Sequence, residues 1–215
     1  MIITHIGHAC FSIEKDGYKI IVDPYEAGSV PGLNPLDEEA NMVLCTHGHF
    51  DHNAAQEVVV VDAAECPFSI HEIHSYHDEA KGAKRGPNTI YIFDDGVSRV
   101  AHMGDIGCDI NEDMTEEERA MLTGLDAMMI PVGGTYTVDA EQASAIIRQL
   151  NPKIAIPMHY RSDYYQFGFD NITTEEDFID AFGDVMKKHS FSIESEEKPI
   201  MQVNILRVKN AEKQF

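Results

Sequence analysis

Short apolar runs separated by turn residues dominate the first half of the chain and predict a β-rich beginning. Two pairs of runs flank Asp16-Gly17 and Asp94-Asp95-Gly96, and glycine in such steps favours hairpins because it readily takes a positive φ. The strands predicted in this half are Ile2–His5, Cys10–Glu14, Tyr18–Asp23, Met42–Thr46, Glu57–Ala63, Phe68–Tyr76, Thr89–Phe93 and Val97–His102.

After residue 110 the pattern changes to helices that alternate with strands. Thr115–Glu118 has the form of a capping box and predicts a helix that ends near Leu122. Apolar residues at helical spacing predict two further helices, Asp139–Leu150 and Glu175–Lys188. Three more strands are predicted at Ala127–Val132, Lys153–Met158 and Met201–Val208. This order indicates sheets covered by helices, and we expect a single domain over residues 1–215.

Composition narrows the class of protein. The chain has 215 residues, 43% of them hydrophobic, which is enough for the core of a soluble globular domain. Its 37 acidic and 16 basic side chains give a formal charge of −21, so we expect neither nucleic acid nor a membrane surface as a partner. The four cysteines form no Cys-x-x-Cys pair, and no apolar run reaches the ~20 residues of a membrane span. We therefore expect a cytoplasmic protein with reduced thiols.

The segment Thr-His-Gly-His-Phe-Asp-His at 46–52 places three imidazoles and a carboxylate within six positions. His47 and His49 point to the same side of an extended chain and can share one ion, because side chains alternate along a strand. Asp51 and His52 could serve a second ion once the chain turns. These donors suit zinc and other divalent first-row metals. The alternative is that the histidines are surface residues and that Asp51 caps a helix.

Three later segments favour the metal interpretation. In each of them a residue able to bind a metal follows an apolar strand, where open α/β sheets place their sites. These residues are His77 after Phe68–Tyr76, His102 and Asp105 after Ser98–Ala101, and His159 after Ile154–Met158.

With this motif and the later histidines and aspartate, the chain resembles the metallo-β-lactamase superfamily, whose motif is His-x-His-x-Asp-His followed by further ligands. The resemblance extends from the opening hairpin to His159. Gly7-His8-Ala9 is similar to a segment in a group of small metal-dependent hydrolases that includes ascorbate-phosphate lactonase-like proteins. The resemblance implies an α/β fold, a four-layer αββα sandwich.

The resemblance also implies two divalent metal ions, with zinc expected and manganese or iron as alternatives. It assigns His47, His49 and His77 to the first ion, Asp51, His52 and His159 to the second, and Asp105 to a bridging position. His77 is preferred to His74 because it lies at the end of its strand. Members of the superfamily that reduce oxygen carry glutamate at the position of His49, so this chain's histidine favours hydrolysis.

The predicted activity is hydrolysis of a small ester, lactone or phosphoester by a hydroxide that bridges the two ions. Asp51 and Asp105 are predicted to be catalytic because they fix the geometry and charge of the site. His102 is predicted to protonate the leaving group, with His8 as a second candidate, and an orienting role is the alternative for both. Cys45 and Cys108 are close enough to the motif residues that a role for them stays open.

An anionic substrate would need cationic or amide donors near the metal site. Arg161, Lys84 and Arg85 are candidates because each follows a predicted ligand segment, although most such side chains are merely solvated. The loop Gly133-Gly134-Thr135 follows a buried strand and could form either an anion-binding nest or a tight turn.

Two other functions remain as alternatives. A nuclease or phosphodiesterase of the same superfamily is one, which the charge of −21 disfavours. A metal-binding protein without catalysis is the other. The sequence leaves a homo-oligomer open.

Overall fold

Two large β-sheets lie at the centre of the fold. The computed structural model describes residues 1–62, 65–183, 185–188, 192–194, 202–206 and 208–211. The strands are β1 Ile2–Gly7, β2 Cys10–Lys15, β3 Tyr18–Val22, β4 Glu38–Ala40, β5 Met42–Leu44, β6 Val58–Val60, β7 Ser69–Tyr76, β8 Pro87–Asp94, β9 Arg99–His102, β10 Ala127–Pro131, β11 Ile154–Met158, β12 Val185–Lys188, β13 Ser192–Glu194 and β14 Gln202–Leu206. The helices are α1 Ile110–Asp113, α2 Glu116–Leu122, α3 Ala140–Leu150 and α4 Glu175–Phe182.

The strand order explains how distant segments reach one site. The five-stranded sheet runs β13-β1-β2-β3-β5, and the seven-stranded sheet runs β12-β14-β11-β10-β9-β8-β7. Strands β9, β10, β11, β14 and β12 pair in parallel, so their carboxyl ends meet at one edge. Strands β4 and β6 form a separate two-stranded sheet.

Both predicted hairpins are confirmed. Lys15 pairs with Tyr18 across a two-residue turn, in which Asp16 and Gly17 have φ values of 51° and 84°. This is the geometry that twisted antiparallel strands prefer. In the second hairpin Asp94 pairs with Arg99, which leaves Asp95 and Gly96 in the connecting loop.

The core has two parts because side chains alternate along the strands. Ala127 and Met129 of β10 belong to a cluster formed by the two sheets, together with residues such as Phe11 and Phe93. Their neighbours Met128 and Ile130 belong to a second cluster that includes residues of α3 and α4. The predicted α/β sandwich is therefore confirmed. Every helix among the described residues is too short or too polar to cross a bilayer.

The helix starts follow the sequence closely. The capping box predicted at Thr115 is confirmed, since its side chain accepts from the Glu118 N–H while Glu118 reaches back to the Thr115 backbone. Similar boxes begin α3 at Asp139 and α4 at Thr174.

One predicted helix is too long. The helix expected over Glu175–Lys188 ends at Phe182, because Gly183 adopts a φ of 94° and closes it. Val185–Lys188 instead forms β12, which pairs in parallel with β14. That partner lies beyond the local pattern, so helical spacing alone could not reveal the strand.

Smaller differences concern strand ends. Glu57 lies in a 3₁₀-helix, Ala55–Glu57, and the strand after it ends at Val60. Ala63 and Met201, the outer ends of two predicted strands, lie outside the described residues. Strands β4 and β13 and helix α1, each three or four residues long, were not predicted. The single domain expected over 1–215 stays a prediction.

Candidate metal centre

The loops that follow four strands bring all seven predicted ligands to one place. Oδ2 of Asp105, just after β9, is the common point. From this atom the Nε2 distances are 3.1 Å to His77, 3.2 Å to His159, 3.3 Å to His52 and 3.8 Å to His47. A single carboxylate oxygen thus faces histidines from three different loops.

Besides Asp23, His47 and His52, which form a third candidate set, two sets of side chains that share no residue lie near Asp105 and could each hold a metal ion. The first, which we call the open group, is His47, His49 and His77; the second, the buried group, is His8, Asp51, His52 and His159. Within each group the candidate ligand atoms lie within 4.8 Å of one another. His74, the alternative to His77, is exposed on β7 and belongs to neither group.

Unsatisfied buried atoms indicate that the site fits metal ions. His47 Nε2 and Asp105 Oδ1 are buried without a hydrogen-bond partner among the described residues, and His52 Nε2 makes no well-aligned hydrogen bond although it lies 3.3 Å from Asp105 Oδ2. Buried polar atoms normally find a partner, so groups left in this state at one point suggest a missing ligand. Imidazole nitrogens and carboxylate oxygens are donors for divalent first-row metals.

A buried aspartate orients the histidines of the motif. Asp23, directly after β3, accepts through Oδ2 from His52 Nδ1 at 2.9 Å and from Thr46 Oγ1 at 2.7 Å. Its Oδ1 accepts from the Thr46 N–H at 2.7 Å, and Thr46 Oγ1 lies 3.0 Å from His47 Nδ1. Both Nε2 atoms are thereby left to face the centre, as in metal sites where a carboxylate orients a ligating histidine. Asp23 is not among the site residues predicted from the sequence, although it follows a strand as the ligands do.

A second polar side chain fixes the loop of Asp105. Asn88 Oδ1 accepts from the Asp105 N–H at 2.9 Å, and its Nδ2 donates to the Met103 carbonyl at 2.9 Å. A Cβ at Gly104 would lie 2.2 Å from Asn88 Oδ1, and Gly104 has a φ of 57°. Only glycine therefore lets Asn88 hold this loop.

The pKa values of most site residues suit metal binding, and His52 differs from the rest. Burial lowers the pKa of His52, but the Asp105 and Asp23 carboxylates outweigh it and hold that pKa well above its ordinary value, so a metal ion would displace its proton. Burial, helped by the charge of neighbouring histidines, lowers the pKa of His47 to about 3 and that of His8 to about 4. Both imidazoles are neutral at pH 7, the form that binds metals. Burial raises the pKa of Asp105, but His159 and His52 outweigh it and hold that pKa well below its usual range. The central carboxylate is therefore ionised.

The structure corrects the prediction that His102 is a general acid. Its Nε2–H donates to the Ala9 carbonyl at 2.8 Å, while its Nδ1 accepts from the Gly104 N–H at 3.1 Å. Because both ring nitrogens are used and the side chain is fully buried, no proton is available for a substrate. His102 ties two loops of the site together instead.

His8, the second candidate for the leaving-group acid, lies within the candidate metal centre itself. Its Nε2 is 3.3 Å from Asp51 Oδ2, its ring centroid is 4.0 Å from that of His159, and it is fully buried. His8 thus joins the buried group as a possible ligand, a role that the sequence did not suggest. Cys45 and Cys108, whose role the sequence leaves open, belong to neither group. Burial raises the pKa of both thiols, to about 12 for Cys45.

A cavity of about 330 Å³ opens onto the centre. Five candidate ligands line it, namely His49, Asp51, His77, Asp105 and His159. The rest of the lining consists of three aromatic side chains, Phe50, Tyr136 and Phe169, and two basic ones, Lys84 and Arg85. This size and mixed lining suit a small molecule.

Two other predicted substrate contacts are absent from this cavity. Arg161 lines a different depression, where its Nε lies 3.1 Å from Asp163 Oδ1. At Gly133–Thr135 the tight turn, not the nest, is formed, because the Gly134 N–H donates to Val138 O at 3.2 Å and Gly134 O accepts from Thr137 N at 2.9 Å.

Known proteins share both the sequence pattern and the fold. The family model of the β-lactamase superfamily domain matches residues 2–159. A UPF0173 metal-dependent hydrolase from Ignicoccus hospitalis is 30% identical in an alignment 197 residues long. The match covers 74% of this chain and 82% of the relative.

Two solved structures resemble the chain. A protein from Thermotoga maritima, assigned as a Zn-dependent hydrolase of the metallo-β-lactamase superfamily, has 27% identity and a TM-score of 0.70, with coverage of 96% of this chain and 98% of that one. Igni18, a metallo hydrolase from Ignicoccus hospitalis, has 21% identity and a TM-score of 0.58, with coverage of 85% of this chain and 90% of that one. This likeness shows the fold alone. The chain belongs to the metallo-β-lactamase superfamily, in the family of UPF0173 metal-dependent hydrolases.

Proposed function

We propose that this protein is a dinuclear metal-dependent hydrolase that cleaves an ester, lactone or phosphoester bond in a small molecule. One observation carries the proposal. Asp105 Oδ2 lies 3.1 Å from His77 of the open group and 3.2 Å from His159 of the buried group. A carboxylate between two sets of nitrogen and oxygen donors is suited to bridge two cations.

Two divalent ions bound to these groups would supply Lewis acidity and lower the pKa of a water molecule to near neutrality. The chain supports that chemistry in three ways. Asp51 stays ionised because His8 and His52 outweigh the effect of burial and hold its pKa well below its usual range. Its carboxylate lines the cavity and can orient a water by accepting its hydrogen bond. Asp23 and Asn88 keep the ligand loops in place, so the geometry exists before substrate arrives.

We propose zinc as the resident metal. Nitrogen and oxygen donors accept zinc, manganese and iron alike, so the donors alone leave the choice open. The description of the Thermotoga maritima relative as Zn-dependent supports zinc.

The test is hydrolysis by metal-loaded protein with a panel of small esters, lactones and phosphodiesters. We expect turnover of at least one class, and loss of it in His77→Ala. The matched control is His74→Ala, which removes an exposed histidine from β7, the strand that His77 follows, and should retain activity. Bound metal without turnover of any class would contradict the proposal and favour a metal-binding protein without catalysis. Salt-sensitive cleavage of RNA instead would favour the nuclease alternative.

A further inference from the structure

Two neighbouring cations line the cavity of a strongly acidic protein. The formal charge is −21, and only 16 side chains are lysine or arginine, yet Lys84 and Arg85 stand side by side in the wall beside His77. A protein with this net charge repels anions over most of its surface. Basic side chains beside the reacting centre therefore change which small molecules bind there.

Hydrogen bonds to the Asp78 side chain hold the loop that carries Lys84 and Arg85. The Asp78 carboxylate accepts four backbone N–H groups, from Ala80 at 2.8 Å, Gly82 at 3.1 Å, Lys84 at 3.1 Å and Arg85 at 2.7 Å. Asp78 follows His77 directly, so one side chain couples the backbone of both cations to a candidate metal ligand. The backbone that carries both cations is consequently fixed relative to His77.

Arg85 has the better geometry for a ligand. Its Nη2 donates to the Thr135 carbonyl at 2.8 Å, and its guanidinium lies 5.9 Å from the centroid of the Tyr136 ring. No carboxylate in the described part of the chain lies within 4.0 Å of it, whereas Lys84 pairs with Glu79. A guanidinium has five N–H donors in a planar fork, so the Arg85 group can still bind a carboxylate or phosphate.

We propose that Arg85, assisted by Lys84, is a subsite for an anionic group at the end of the substrate remote from the scissile bond. Phe50, Tyr136 and Phe169 would contact the apolar body between the two ends. The inference rests on the proposed function and narrows its substrates to small esters, lactones or phosphoesters that carry a carboxylate or phosphate. Arg85 is then a specificity-determining residue.

The test is calorimetric binding of three non-reacting probes to the metal-loaded protein, namely benzoate, phenylphosphonate and neutral benzamide. Variants Arg85→Met and Arg85→Lys are compared with wild type after their metal contents are shown to be equal. The matched control is Arg148→Met, because the Arg148 guanidinium also donates to a carbonyl, of Phe182 at 3.1 Å, and lies 4.8 Å from an aromatic centroid, but outside the cavity.

We expect one or both anions to bind Arg85→Met at least about tenfold more weakly than wild type, as the loss of a charged hydrogen bond implies. Arg85→Lys should recover part of the affinity, Arg148→Met should match wild type, and benzamide should bind all proteins alike. The anion that responds identifies carboxylate or phosphate as the recognised group. Equal anion affinity in wild type and Arg85→Met, or no anion binding to wild type, would overturn the proposal. Because the probes bind without being hydrolysed, this experiment tests the Arg85 subsite alone. Failure of the hydrolase proposal would appear in the turnover assay instead.

Discussion

The open and buried groups approach the same oxygen of Asp105 but differ in their surroundings. In the open group His49 is exposed and His77 lines the cavity, whereas in the buried group His8 and His52 are fully enclosed. The buried group is also tied to Asp23 through His52, an ion pair at 2.9 Å. Asp51 and His159 of the buried group also line the cavity, so the contrast is between the side chains that meet a substrate there and the enclosed pair His8 and His52, which holds charge in place.

Because Asp105 faces both groups, replacing it should have the largest effect. Asp105→Asn keeps the shape but removes the charge that both groups share, and we expect hydrolysis to fall about 10⁴-fold, or about 5.5 kcal/mol in activation free energy. Steady-state kinetics with saturating metal would measure the loss. A variant within tenfold of wild type would mean that Asp105 does not hold the reacting centre together.

The two groups should differ in how much their histidines contribute to the free energy of unfolding. His52→Ala leaves the buried Asp23 carboxylate without its cationic partner, and we expect the free energy of unfolding to fall by about 3 kcal/mol. His49→Ala removes an exposed ring and should change it by less than about 0.5 kcal/mol. Urea denaturation with a chelator present would compare them. Equal losses would remove the distinction between the groups.

Asp23 should act on the buried group through His52 and on the open group through Thr46. Asp23→Asn weakens the bond that orients His52, and we expect metal affinity to fall about 10- to 100-fold. Competition with a chromophoric chelator would measure the affinity. The control is Asp126→Asn, since Asp126 also accepts a backbone N–H, from Arg99 at 2.7 Å, but away from the metal loops. Comparable weakening in both variants would count against a positioning role.

Acid should weaken the support of the buried group. His5 donates through Nε2 to the His8 carbonyl at 2.9 Å, and burial lowers its pKa from 6.5 to about 4. Below pH 6.5 the unfolded state binds a proton at His5 that the folded state excludes. The contribution of neutral His5 to the free energy of unfolding is therefore complete above pH 6.5 and declines toward pH 4.

The expected decline is about 1.4 kcal/mol per pH unit. His5→Gln keeps a donor for the same carbonyl but cannot titrate, so its stability should depend less steeply on pH. The control His71→Gln changes an exposed histidine and should retain the wild-type slope. Urea denaturation at several pH values with a chelator present makes the comparison, and an unchanged slope in His5→Gln would contradict the assignment.

The sequence predicts most of the architecture because local chemistry decides it. The turn at Asp16-Gly17 and the capping box at Thr115 form where their residues require them. Strands β10 and β11 lie within the predicted apolar runs. Strand β12 escaped prediction since its pairing with β14 depends on a partner remote in sequence.

The same limit applies to the site. A position after a strand predicts nearness to the sheet edge, which His77, Asp105 and His159 share. It does not predict which way a side chain turns, and His102 turns toward the Ala9 carbonyl. His8 lies far from the motif in sequence, so its contact with Asp51 follows only from the packing of β1 and β2 beside the centre.

The most direct test of the account is the metal content of the chain, measured by plasma mass spectrometry after loading and removal of free metal. Wild type, His77→Ala and His159→Ala are compared, with His74→Ala as control. The account predicts about two equivalents in wild type and in the control, and about one in each of the other variants, since each loses one group. A single equivalent in wild type that either variant abolishes would contradict a centre divided between two groups.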